Sequence, residues 1–126
     1  MTSGFQIRKE IFDYLTANLN GIAEILPEHP SGNLSNFNLP KIVVSIIRDN
    51  ASGRYISNEI KNPEIQITIY TQKELQLTKP NGILERVETL MNTFRTSTNF
   101  NKIKDFYLGY VQEVMSYCGY FVYRFY

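Results

Sequence analysis

The chain has 126 residues and a formal net charge of +1, with 43% hydrophobic and 20% charged residues. This composition is that of a globular protein and excludes a fibre or a disordered chain. The near-neutral charge argues against a dedicated DNA-binding protein, which usually carries a concentrated basic excess. At this length we expect one domain spanning residues 1–126, with a single core.

Cys118 is the only cysteine, so the chain can form neither an intrachain disulfide nor a thiolate metal cluster. This usage favours synthesis in a reducing, intracellular compartment. The N-terminus has no apolar run of signal-peptide length, and the longest apolar run, residues 42–47, is too short to cross a bilayer. We therefore expect a soluble protein that is not exported through a signal peptide.

The first predicted element is a helix that begins at Ser3. Ser3 and Gln6 have the spacing of a capping box, and apolar residues from Phe5 to Leu19 follow helical spacing. Gly21 is placed to end the helix in a left-handed conformation. Residues 27–40 are rich in Pro, Gly, Asn and Ser and predict a loop.

Two strands are predicted next. Lys41 to Arg48 has an apolar run without alternation, which indicates a strand buried on both faces. Glu64 to Thr71 alternates isoleucines with polar residues, and Pro63 precedes it, which predicts a central strand. Residues 49–62 contain a strong turn cluster and form either a long loop or a projecting hairpin.

The second half predicts a helix and a hairpin. Apolar residues recur at steps of three and four from Pro80 to Phe94, which is typical of an amphipathic helix. Residues 105–126 predict a hairpin that turns at Cys118 and Gly119, with a returning strand from Tyr120 to Tyr126. The order α-β-β-α-β-β predicts an α+β fold, in which two helices cover one face of a mainly antiparallel sheet of about four strands.

The last predicted strand is aromatic on both faces. Phe121, Tyr123 and Phe125 share one face, and Tyr120 lies on the other. Helices on one side leave the second side of the sheet to be buried, since an exposed apolar edge invites aggregation. A partner subunit would bury it; alternatively, the loop of residues 27–40 folds over it.

Enzymatic sites are poorly supported by the sequence. His29 is the only histidine and has no evident catalytic partner, and no Gly-x-Ser-x-Gly turn or glycine-rich phosphate loop is present. Asp49 and Glu64 could converge on a divalent ion, as in a metal-dependent nuclease, but Gln66 stands where such sites usually have a lysine. We expect no catalytic residues, no cofactor and no metal, and keep the nuclease as an alternative.

A basic segment lies between the two central strands. Arg48, Arg54 and Lys61 flank it, with Tyr55 among them, while Asp49 and Glu59 dilute its charge. The segment is either a mixed, solvated loop or a projection that lines a channel or touches a partner.

The whole plan resembles the tail terminator proteins of long-tailed bacteriophages, also called tail completion or minor capsid proteins. The resemblance rests on the Pro-rich loop that runs into residues 39–44, the isoleucine-rich residues 65–70, the helix of residues 80–94, and the aromatic end at residues 123–126. Neck proteins that join head to tail share much of this plan and are the near alternative.

The resemblance implies a non-enzymatic virion protein, made in the host cytoplasm, that forms a commonly hexameric ring on the head-proximal end of the tail. Its partners would be copies of itself, the tail tube protein and the head connector proteins, with DNA only as passing cargo and no membrane. A ring needs two different complementary patches on each subunit. On this view one patch comprises Tyr120, Phe121, Tyr123 and Phe125, and the tail tube or channel contacts are Arg48, Arg54 and Lys61.

Overall fold

The fold is seen in a computed structural model that describes residues 4–26, 39–48, 63–78, 82–96 and 99–126. Its elements, in chain order, are α1 (Gly4–Asn18), β1 (Glu24–Leu26), β2 (Lys41–Arg48), β3 (Glu64–Thr71), α2 (Glu74–Thr78), α3 (Ile83–Thr93), β4 (Phe100–Val111) and β5 (Ser116–Phe125). None of the helices in these ranges is long and apolar enough to span a membrane.

The described strands form one sheet in the order β1-β2-β3-β5-β4. β1 pairs with β2 in parallel, and every other neighbouring pair is antiparallel. The predicted α+β class is confirmed, but the sheet has five strands and is mixed, so the prediction of about four strands was too low. The missing strand is β1, which at three residues is too short to show a period.

The central part of the sheet follows the sequence prediction closely. β2 and β3 have the predicted bounds, and β3 lies in the middle of the sheet. The isoleucines of β3 alternate with more polar residues because one face of the strand is covered by helices. Predicted strand and observed strand agree here because the pattern is long and strict.

Two longer helices, α1 and α3, cover one face of the sheet together with the short α2. The cluster that unites them contains Ile7, Ile11 and Leu15 of α1, Leu77 of α2, Val87 and Met91 of α3, and Ile65, Ile67 and Ile69 of β3. Phe5, expected on the apolar side of the first helix, is instead 71% exposed. The true buried row runs at steps of four from Ile7, which places Phe5 on the outer side.

The helix ends agree with the sequence in part. Gly21 has a φ of +81° and follows α1, as predicted for a left-handed stop. α3 begins at Ile83 rather than Pro80, with Gly82 as its N-cap, and residues 79–81 lie outside the described ranges. Its end is close to the prediction, since the Phe94 amide donates to the carbonyls of Leu90 and Met91. The helix α2 was not predicted.

The C-terminal hairpin turns earlier than predicted. Residues 112–115 form the turn, where Met115 has a φ of 52° and its amide donates to the Gln112 carbonyl at 3.2 Å. Cys118 and Gly119 lie inside β5 and are buried, so the prediction of a turn at these residues was wrong. A Cβ on Gly119 would lie 3.1 Å from Leu84 Cδ2 and 3.2 Å from the Phe106 carbonyl oxygen, so the glycine serves close packing.

The second face of the sheet has a smaller cluster of its own. Val43, Tyr70 and Cys118 are buried there, and Leu26, Val111 and Val114 pack against them. Burial raises the pKa of the Cys118 thiol to about 11, so the thiol is a structural group rather than a reactive one. The chain therefore buries part of this face itself; the loop of residues 27–38 that was expected to cover it lies outside the described ranges.

Candidate functional site

The aromatic residues predicted for a subunit interface are mostly in the core. Phe121, Tyr123 and Phe125 are buried in the helix-covered cluster. Phe121 and Tyr123 pair with Ile67 and Ile65, so their side chains point to the helices. Their use as contact side chains is therefore contradicted by their burial. Tyr120 points to the opposite face and is half-buried.

The exposed aromatic surface lies instead on β4, at one edge of the described sheet. Its members are Phe106 (53% exposed), Tyr107 (40%), Leu108 (48%) and Tyr110 (51%). We call these four residues the β4 patch. Phe106 pairs with Tyr120 and Tyr107 pairs with Gly119, so the side chains of Phe106 and Tyr107 leave opposite faces of the edge strand. Because an edge strand also presents unpaired main-chain groups, exposed apolar side chains along it are typical of an interaction surface.

Contacts within the chain hold the patch in place. Phe106 stacks on Tyr120 with ring centroids 5.7 Å apart, and Tyr110 meets the edge of Tyr117 at 5.3 Å. The Tyr107 hydroxyl donates to the Glu74 carboxylate of α2, which raises the pKa of Tyr107 to about 12. Aromatic side chains fixed in this way lose little conformational entropy when a partner binds.

The two halves of β4 differ in charge. Lys102, Lys104 and Asp105 lie in the first half, whereas residues 106–111 contain no charged residue. Lys102 bonds to Glu88 of α3 and to Asp105 at 2.9 Å, and its ammonium lies 5.4 Å from the Phe121 ring centroid. Lysines and bulges protect edge strands against indiscriminate pairing. The first half of β4 has both lysines and a bulge, whereas the second half has a bulge but no charged side chain.

Two irregularities shape this strand. The pairing with β5 shifts register between Lys102 and Lys104 and again between Tyr107 and Gly109. Gly109 has a φ of +78°, which is the conformation of a glycine-containing bulge. The second bulge leaves Leu108 without a direct partner on β5. It therefore changes the direction of the strand within the β4 patch.

A groove of about 610 Å³ runs beside the patch, between the helices and β4. Leu77 and Leu84 contribute apolar surface to it, together with Phe106 and Tyr107 of the patch. Glu85, Glu88 and Asp105 line it with carboxylates. The patch is thus continuous with a groove that could receive a side chain from a partner.

The predicted tail-tube or channel contacts are only partly within the described residues. Arg48 is the last residue of β2 and lies opposite Glu64 of β3. Arg54 and Lys61 lie outside the described ranges, as does the projection that was expected to carry them. Their contact with a tube or channel stays a prediction.

The described residues do not bring candidate metal ligands together. The Glu64 carboxylate accepts hydrogen bonds from Arg124 Nε at 3.0 Å and Nη2 at 2.8 Å. Asp49 and His29 lie outside the described ranges. Within those ranges, no group of three or more His, Cys, Asp and Glu side chains is close enough to hold a metal ion. Glu64 is placed as an ion-pair partner on the sheet.

The aromatic pattern of the sequence was interpreted only for the returning strand, Tyr120 to Tyr126, and β4 was not singled out. The available signal was local: a charge-free stretch, residues 106–111, follows directly on Lys104 and Asp105. Which strand of the hairpin lies at the edge depends on long-range pairing.

Comparison with known proteins identifies no relative: no protein-family model matches the chain, and no curated protein has a significantly similar sequence. The resemblance to tail terminator proteins therefore rests on the order and patterning of the elements.

Proposed function

We propose that the chain is a non-enzymatic structural subunit of a phage tail, which assembles with copies of itself into a ring at the head-proximal end of the tail tube. The observation that carries this proposal is the β4 patch, an aromatic edge that the described part of the chain leaves exposed. The sequence patterning described above supplies the tail terminator as the class of protein.

The size of the patch fits part of a subunit contact. Its four side chains are each about half exposed, and a large side chain offers about 200 Å² for burial. They would contribute about 400 Å², which is about half of what one partner buries in a standard interface. The remainder would come from the groove beside α3 and from main-chain groups of β4. The patch is therefore large enough to be the core of an interface but not the whole of it.

Tail completion in the phage that encodes the chain tests this function. Leu108→Glu places a charge in the β4 patch, and we expect it to abolish the joining of heads to tails. Phe5→Glu is the matched control, because Phe5 is the most exposed of the large hydrophobic residues described and lies on α1. It should leave tail completion unchanged. Normal tail completion with Leu108→Glu, or without the chain, would contradict the proposal.

The proposed contact to the tail tube needs a separate test. Replacing Arg54 and Lys61 with glutamate should weaken binding to the tail tube while the fold and the ring remain. Comparing the binding of the chain to isolated tail tubes with its binding to head connectors also distinguishes a tail terminator from a neck protein. Tail-tube binding that survives both substitutions would remove these two residues from the contact.

A further inference from the structure

The opposite edge of the sheet formed by the described strands carries a second exposed apolar surface. Ile22, just before β1, is 40% exposed, and Leu39, just before β2, is 38% exposed. The first residue pair between the parallel strands β1 and β2 is Glu24 with Lys41. Ile22 and Leu39 each precede their member of this pair by two residues. They therefore lie at the same end of the two strands. We call Ile22, Leu39 and the strand β1 the β1 patch.

The two patches lie at the same level along the strands. Pairing across the sheet puts Glu24, Lys41, Tyr70, Cys118 and Gly109 in one row. The next two rows lead from Ile25 to Tyr107 and from Leu26 to Phe106. Ile25 and Leu26 thus share rows with members of the β4 patch, and Glu24 shares a row with Gly109, which lies between two of them, although four strand spacings separate the two edges.

Strand direction also favours contact between the two edges. β4 is antiparallel to β5, β5 to β3 and β3 to β2, while β1 is parallel to β2. β4 and β1 therefore run in opposite directions. If a second copy is placed beside the first with its helices on the same side, β1 of the second copy lies beside β4 of the first and runs antiparallel to it.

We infer that the β4 patch of one subunit binds the β1 patch of the next copy, head to tail, and that this is the heterologous contact that closes the ring. The inference rests on the proposed function, since it names the second patch that a cyclic assembly requires. The antiparallel arrangement lets the main chain of Glu24–Leu26 bond to β4. Ile22 and Leu39 then pack near the end of the β4 patch that contains Tyr110.

Paired cysteines test this contact in the full-length chain. In a double variant, Ile22→Cys with Tyr110→Cys, a short bis-maleimide should link subunits into a ladder that ends at the size of the ring. Each single variant should give no linked product, and a mixture of the two should give dimers only. Cys118 is buried, so the wild type should not react.

A second pair of cysteines tests whether cross-linking requires the proposed geometry or results from random collision. Thr89 is an exposed residue of α3 that belongs to neither patch, so Thr89→Cys supplies a thiol outside the proposed contact. Combined with Tyr110→Cys, it should give no ladder. A linked dimer from Tyr110→Cys alone would indicate a symmetric β4-to-β4 contact and overturn the inference.

Light scattering on the same samples separates the two possible failures. A ring without a ladder from Ile22→Cys with Tyr110→Cys would overturn the β1 contact and leave the proposed ring standing. A monomer at every concentration, again without a ladder, would contradict the ring and this inference together. A ring with the ladder supports both.

Discussion

The two strands of the C-terminal hairpin are both rich in aromatic residues, yet they have opposite roles. β5 lies between β3 and β4, and its Phe121, Tyr123 and Phe125 are buried under the helices. β4 lies at the edge, and its Phe106 and Tyr110 are half exposed. The difference shows that position in the sheet, rather than aromatic content, decides which residues stabilise the fold and which are available to a partner.

Truncation of one aromatic residue on each strand should give the largest contrast. Phe125 is fully buried and stacks on Phe100 at 4.9 Å, so Phe125→Ala should lower the free energy of unfolding by about 3–5 kcal/mol. Tyr110→Ala should lower it by only about 0.5–1.5 kcal/mol, through loss of the edge contact with Tyr117. Urea unfolding monitored by circular dichroism measures both. Equal losses would contradict the division between core and surface.

Substitutions of the two glycines of the hairpin test the same difference between the buried strand β5 and the edge strand β4. Gly119→Ala on β5 should destabilise by about 1–3 kcal/mol, because the added methyl group meets Leu84 and the Phe106 carbonyl. Gly109→Ala on β4 meets no atom within 4 Å and should cost about 1 kcal/mol through its left-handed backbone alone.

Asparagine separates these two causes, because it tolerates the left-handed region better than alanine does. Gly109→Asn should be less destabilising than Gly109→Ala, whereas Gly119→Asn should be more destabilising than Gly119→Ala. Thermal unfolding of the four variants gives the order. If asparagine is worse than alanine at both positions, steric crowding explains both glycines; if asparagine is better at both, the left-handed backbone does.

The buried Tyr123 and the half-buried Tyr14 predict smaller effects of opposite sign. The Tyr123 hydroxyl is buried and has no hydrogen-bond partner among the described residues, so Tyr123→Phe should stabilise by about 1 kcal/mol. The Tyr14 hydroxyl donates to the Leu90 carbonyl at 2.8 Å, so Tyr14→Phe should destabilise by a similar amount. Chemical unfolding at neutral pH measures the pair. A loss of stability in Tyr123→Phe would indicate that the hydroxyl does have a partner.

Alkaline pH should reveal an effect of the buried tyrosines that is absent at neutral pH. Burial raises the pKa of Tyr70 and of Tyr123 to about 12. Below the unfolded pKa of about 10 their contribution to stability is fully present, and it is lost as the pH rises towards about 12. Unfolding free energies measured across this range should fall less in Tyr123→Phe than in the wild type. An equal fall would exclude Tyr123 as a cause.

The sequence predicted the elements whose patterns are long and locally complete. β3 and most of α3 follow from apolar residues that recur with a clear period, and β2 follows from an apolar run that does not alternate. β1 could not be found because three residues carry no period. Gly119 was misread as a turn residue because its function is set by contact with Leu84, far away in the sequence. The local pattern around it was also compatible with a turn.

The sequence predicted an aromatic interaction surface but not the residues that form it. The excess of aromatic residues near the C-terminus indicated an interface, but alternation along a strand does not say which face the helices cover. It also does not say which strand of a hairpin lies at the edge, because that depends on whether β3 pairs with β4 or with β5. The contact was therefore expected on Phe121, Tyr123 and Phe125, one strand away from the exposed patch.

The most direct test of self-assembly through the β4 patch is the mass of the purified chain by light scattering across a range of concentrations. The mass of the wild type should rise with concentration from the 14.7 kDa of the monomer to one fixed multiple of it, which is the mass of the closed ring. Leu108→Glu should stay a monomer, and Phe5→Glu should behave as the wild type. A wild type that remains monomeric, or a Leu108→Glu variant that assembles equally well, would contradict the account.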